Sequence, residues 1–143
     1  QIGTLNSFVR FVKGANKVDA AFVASNTSLI SADILDIGTP TTTSVNPVVN
    51  MAVKKSGRTT GLTTGTVSTI NATVLVSYGA GCGVYKFVNQ FVVTPGSFSA
   101  AGDSGSPVMD ANSNPVGLLF AGSSTSTICN PISAVQSALG LTF

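Results

Sequence analysis

The chain has no histidine and no tryptophan, and only 8% of its 143 residues are charged. Each shortage excludes something. Without histidine the chain has no imidazole, the usual side chain for general-base work near neutral pH. Two cysteines without histidine rule out the Cys/His clusters that hold structural zinc, so neither a metal nor a cofactor is expected. A formal net charge of +2 is too slight to argue for nucleic acid or an anionic membrane surface as a partner. No apolar run nears the roughly 18 residues that would cross a bilayer. The low charge does not mean disorder, because 43% of the residues are hydrophobic and disordered chains are poor in them.

Serine and threonine supply the polarity instead, which suits strands with a solvated face and hydroxyl-rich turns. That balance fits an exported, extracellular protein. Cys82 and Cys129 leave two readings open, one disulfide or two free thiols. The first residue is Gln1, with no methionine, basic region or signal-type apolar segment at the start. An upstream segment removed by processing or trimming is therefore expected.

Short apolar or alternating runs bounded by Gly, Pro, Asn and Ser carry the strand pattern. Phe8–Lys13 and Asp19–Ser25 read as strands. A Thr/Pro-rich connector follows over Leu29–Asn46, with a short strand at Ile34–Ile37. Six more strands are expected, at Ala52–Ser56, Thr63–Ile70, Ala72–Tyr78, Tyr85–Val93, Ser106–Asp110 and Pro115–Ala121. Pro131–Leu139 reads as a helix ending at Gly140. The pattern is all-β, an antiparallel barrel or sandwich with one terminal helix. Two strands before the connector cannot close a barrel, whereas six after it can. Residues 1–44 are thus expected to be the remnant of an N-terminal barrel plus connector, and 45–143 a six-stranded barrel with the helix. Open barrel edges would favour self-association.

Gly102-Asp103-Ser104-Gly105-Ser106-Pro107 carries the chemistry. An activated serine needs its hydroxyl exposed on a tight turn with small neighbours. It also needs backbone N–H groups aimed at the oxygen that becomes negative during attack, and a glycine two residues earlier lets the chain turn them inward. The stretch resembles the GDSGGP nucleophile motif of the trypsin/chymotrypsin family. Lys55-Ser56-Gly57-Arg58-Thr59-Thr60-Gly61 is similar to the SGRTTG segment of bacterial members of the α-lytic protease and streptogrisin type. Pro115–Gly122 resembles the family's VGIVSWG strand, and Val18-Asp19-Ala20-Ala21-Phe22 resembles the strand that bears the triad aspartate.

The resemblance implies a chymotrypsin-like double β-barrel with its first barrel incomplete, and serine endopeptidase chemistry on a polypeptide substrate. Ser104 would be the nucleophile and Asp19 the carboxylate that orients the base, with Asp36 as fallback. Gly102 and Ser104 would form the oxyanion hole. Arg58 would pair with Asp103. Phe98, Ser99, Phe120, Ala121 and Gly122 would contact substrate, with a preference for apolar side chains. Phe120 stands where the motif has serine and Ala121 where it has an aromatic.

In the family's order His…Asp…Ser the base precedes the aspartate, which places it upstream of Gln1. As given, the chain is expected to be inactive. A nicked product, a trimmed fragment and a peptide-binding pseudo-peptidase or scaffold all fit the missing histidine. A lysine acting as base is disfavoured, since Lys13, Lys17, Lys54, Lys55 and Lys86 show no sign of a buried amine.

Overall fold

Alternation in the first 24 residues builds little. In the computed structural model, which describes residues 1–142, β1 (Thr4–Phe8) pairs antiparallel with β3 (Ala21–Ala24) in a separate two-stranded sheet. Between them β2 (Ala15–Asn16) runs parallel to the end of a longer strand, through Lys86 and Phe87. The connector has only an isolated bridge from Ile34 to Gly38, so the strand expected at Ile34–Ile37 is a turn.

Six strands follow. They are β4 (Ala52–Gly57), β5 (Gly61–Ser77), β6 (Val84–Thr94), β7 (Pro107–Asp110), β8 (Pro115–Gly122) and β9 (Thr127–Pro131). Each pairs antiparallel with the next in the order β5-β4-β7-β8-β9-β6, and β6 returns to β5 to close the ring. The fold is a closed six-stranded barrel with the α1 helix (Ile132–Leu139) after it, and Gly140 ends the helix in the left-handed conformation.

The strand count equals the expected one, but the strands differ. Two strands were expected at Thr63–Ile70 and Ala72–Tyr78, and one long strand, Gly61–Ser77, takes their place. Asn71, at φ 54°, bulges without breaking it, since pairing with β6 resumes at Ala72. Asparagine tolerates that region better than most residues. The barrel strand not foreseen is β9, whose Thr127, Cys129 and Asn130 are polar or small yet buried; upstream, the strand expected at Phe8–Lys13 lies instead at Thr4–Phe8, and β2 was not foreseen.

The apolar faces converge on Val53, Val67, Phe91, Val93, Phe98, Val108, Val116, Leu119 and Cys129. Full burial of such side chains stabilises by about 1.5–3 kcal/mol each. A smaller cluster of Val18, Ile132 and Val135 fastens the segment after β2 to the helix. This second cluster matters for the site, because it holds the chain at Asp19 against the barrel.

Candidate active site

The loop from Ala100 to Gly105 is sewn to β8. Gly105 N–H donates to Leu119 O at 2.8 Å, and Leu119 N–H donates to Ser106 O at 3.0 Å. Ser106 Oγ closes the turn on Asp103 O at 2.6 Å. Gly102, at φ 101°, takes a conformation that side chains resist, and a Cβ there would come within 2.9 Å of Arg58 Nη1. The result is an exposed Ser104, whose hydroxyl donates to Phe120 O at 3.4 Å. Among the described residues, the N–H groups of Gly102 and Ser104 find no acceptor. Two free amides beside an exposed hydroxyl can hold an oxyanion.

Asp103 points the other way, into the barrel, and is buried. Its carboxylate accepts the N–H of Thr59 (2.7 Å), Thr60 (3.1 Å) and Ala100 (2.9 Å), and the Thr60 hydroxyl (2.7 Å). Burial alone would raise its pKa, but these four donors outweigh it and hold the carboxyl well below the usual range. The cation at Asp103 is Lys55, with Nζ 3.8 Å from Oδ2 and both side chains fully buried. The expected Arg58–Asp103 pair is therefore replaced. Arg58 is exposed at the turn between β4 and β5, whereas Lys55 lies on the inward face of β4 with Val53. Lys55 Nζ also donates to Thr60 Oγ1 (2.5 Å) and Gly61 O (2.9 Å). Burial lowers its pKa, and the attraction of Asp103 opposes that. None of its bonds reaches Ser104, so it has no contact from which to act as base.

Asp19 sits just past Val18 and is fixed by Asn130 of β9. Asp19 N–H donates to Asn130 Oδ1 at 3.0 Å, and Asn130 Nδ2 returns a bond to Asp19 O at 3.0 Å. Its carboxylate accepts the Tyr78 hydroxyl at 2.5 Å. No hydrogen bond joins Asp19 to Ser104. A cavity of about 570 Å³ opens beside the carboxylate, lined by Phe8, Arg10, Phe11, Ala20 and Tyr85 among others. Asp36, the fallback carboxylate, lies in the connector turn at φ 63°.

A second cavity, of about 320 Å³, adjoins Ser104 and is lined by Ser99, Ala100, Ala101, Leu119, Ala121, Gly122 and Ser123. Ser99, Ala121 and Gly122 are thus placed around it. Phe98 is not, because its ring is buried in the barrel core, with Lys55 Nζ 5.6 Å from the ring centre. Phe120 presents its carbonyl to Ser104 and its ring to Phe87, at 4.9 Å between centroids. No charged side chain lines the cavity.

No protein-family model and no curated protein matches the sequence. Solved structures do. A glutamic-acid-specific serine protease that uses a histidine triad in substrate binding is 31% identical, with a TM-score of 0.70. The match covers 99% of this chain and 73% of that one. The chain belongs to the bacterial chymotrypsin-like serine proteases. Thermobifida fusca protease A is similar at 25% identity and TM-score 0.70, with 89% of this chain and 68% of that one covered. Nocardiopsis protease shares the fold, with TM-score 0.72 at 22% identity over 99% of this chain and 79% of that one.

Within this family frame three residues were missed from the sequence. Lys55 could have been found, since i, i+2 alternation from Val53 places it inside. Asn130 and Tyr78 had no local signal, because both act across long separations in the chain. The two cysteines are free, which removes the disulfide option: Cys82 is exposed in the turn between β5 and β6, and Cys129 is buried in β9. Burial pushes the Cys129 thiol's pKa up, which leaves it an inert core side chain.

Proposed function

We propose that this chain is the Ser- and Asp-bearing part of a serine endopeptidase. The observation that carries the reading is the exposed Ser104 hydroxyl flanked by the free amides of Gly102 and Ser104. Ser104 Oγ attacks the scissile carbonyl carbon while a base takes its proton. The carbonyl oxygen becomes negative between the two amides. Collapse of the tetrahedral species expels the amine, which takes the proton from the base and leaves an acyl-enzyme on Ser104. Water then reverses the steps and frees the acid.

The base is a histidine supplied by sequence upstream of Gln1, and the chain by itself is inactive. Two features support this. The sequence has no histidine, and an open cavity lies beside the Asp19 carboxylate where a histidine-bearing segment would pack. That segment would also complete the first barrel against β1 and β3. Without it, exposed strand edges favour self-association. Among the described residues no helix is long and apolar enough to cross a membrane, and the protein acts after export.

The cavity beside Ser104 is built for neutral substrate side chains. Its walls are Leu119, alanines and hydroxyls, and Ser99 Oγ is hydrogen-bonded to Thr127 Oγ1 at 2.6 Å. The relative's histidine triad has no counterpart in a chain without histidine, so a preference for glutamate by that means is not expected here.

The missing histidine also favours a second reading, a pseudo-peptidase that binds peptides in the groove without cutting them. A fluorophosphonate probe separates the two. The protein extended upstream should be labelled on Ser104, and the present chain should not. A folded, histidine-bearing extension that stays unlabelled would leave only the binding module. Intact-mass measurement of the purified protein should then reveal a histidine-bearing piece accompanying this chain.

A further inference from the structure

Asp19 is the carboxylate to which the proposed function gives the base, and among the described residues it is held by a single side-chain donor. Tyr78, just past the end of β5, donates its hydroxyl to Oδ2 at 2.5 Å. Oδ1 carries no hydrogen bond among the described residues, and the cavity that Asp19 lines also holds Arg10 and Tyr85. The VGIVSWG motif would bring a serine hydroxyl to β8, but this chain has Phe120 there, whose ring packs at a tilt against Phe87. Tyr78 is itself clamped. Its ring lies 5.0 Å from Phe11, 5.9 Å from Tyr85 and 6.4 Å from Phe87. Such aromatic contacts restrict the ring while its hydroxyl finds a partner.

We propose that Tyr78 is the positioning residue of this active site, holding Oδ2 of Asp19 so that Oδ1 faces the base. This rests on the endopeptidase reading above. The imidazole Nδ1–H donates to Oδ1, which fixes the tautomer and leaves Nε2 to take the Ser104 proton. A carboxylate bonded on one side only would otherwise rotate about its χ2, which is a broad torsion. Burial, and then the bond to Asp19, raises the Tyr78 phenol above its ordinary pKa, so the hydroxyl keeps its proton and remains a donor.

The test uses Tyr78→Phe in the protein that carries the upstream histidine segment. The ring and its packing stay, and only the hydroxyl goes. Misplacing a catalytic group by about 1 Å can cost about 10²-fold in rate. The expected result is a kcat lower by about 10-fold to 10²-fold with KM unchanged and the far-UV spectrum intact. An active parent with an equally active Tyr78→Phe variant overturns the inference and leaves the function standing. A folded parent that hydrolyses nothing overturns the function, and the inference with it.

A second readout needs no activity. The chain has two tyrosines and no tryptophan, so Tyr85→Phe leaves Tyr78 as the only phenol. Its absorbance should titrate at higher pH than an ordinary phenol, and Asp19→Asn should bring the midpoint down. A midpoint unmoved by Asp19→Asn overturns the proposed bond.

Discussion

Residues 1–44 and the barrel that follows obey the same chemistry with opposite results. Among the described residues, of fourteen buried hydrophobic ones only Val18 lies in the first 44. Of the thirteen described large hydrophobics left exposed, eight lie there, including Ile2, Leu5, Phe8, Val12 and Leu35. The barrel closes its hydrogen-bond ring, fills its interior and neutralises its buried charges. The two-stranded sheet leaves both edges open and its apolar residues in water. An isolated hairpin of this kind is marginal by itself. The proposed site divides along the same line: Ser104 and the free amides of Gly102 and Ser104 sit on the self-sufficient part, while Asp19 sits where the open part meets it.

The comparison breaks if the barrel does not depend on its buried pair. Lys55→Met strands the Asp103 carboxylate in the core and should destabilise by about 3–5 kcal/mol, as breaking a buried pair does. Urea unfolding would measure it. Arg58→Met, at an exposed position, should stay within about 0.5 kcal/mol. Equal losses in the two variants would restore Arg58 as the partner.

A smaller effect should appear on acidification. The folded carboxyl of Asp103 is depressed, so its contribution is complete above the ordinary aspartate pKa of about 3.9 and is lost as the pH falls toward the folded value. Thermal melts of the protein should show this as an acid limb, and Asp103→Asn should flatten it. A limb that survives the substitution would assign the acid sensitivity elsewhere.

The smallest effect is expected in the open part. Leu5, 58% exposed, loses little on conversion to Ala, within about 0.5 kcal/mol. In the histidine-bearing protein the same change should cost more, because Leu5 would then be covered. Equal small losses in both would contradict an upstream segment packing on β1.

The motif residues were legible because their spacing encodes one local turn. GDSG carries its glycines, its hydroxyl and its inward carboxylate within four positions, and the structure adds only where each one points. The partners drawn from far along the chain were not legible. Lys55 resembles its half-buried neighbour Lys54 in composition, and only the pleat separates them. Thr127-Ile128-Cys129-Asn130 lacks the apolar run of a buried strand, because Asn130 enters the core to bond Asp19 and Leu118 through its amide. Asn71 resembles a strand end because asparagine favours turns, yet the β5–β6 ladder holds across it.

The missing histidine remains the centre of the account. The most direct measurement is fluorophosphonate labelling followed by intact mass, on this chain alone and on the same chain carrying the proposed upstream histidine segment. The account predicts no adduct on the first and one adduct on the second, lost with Ser104→Ala. Labelling of the present chain on Ser104 would show that a base already lies within it, and would contradict the division of the site.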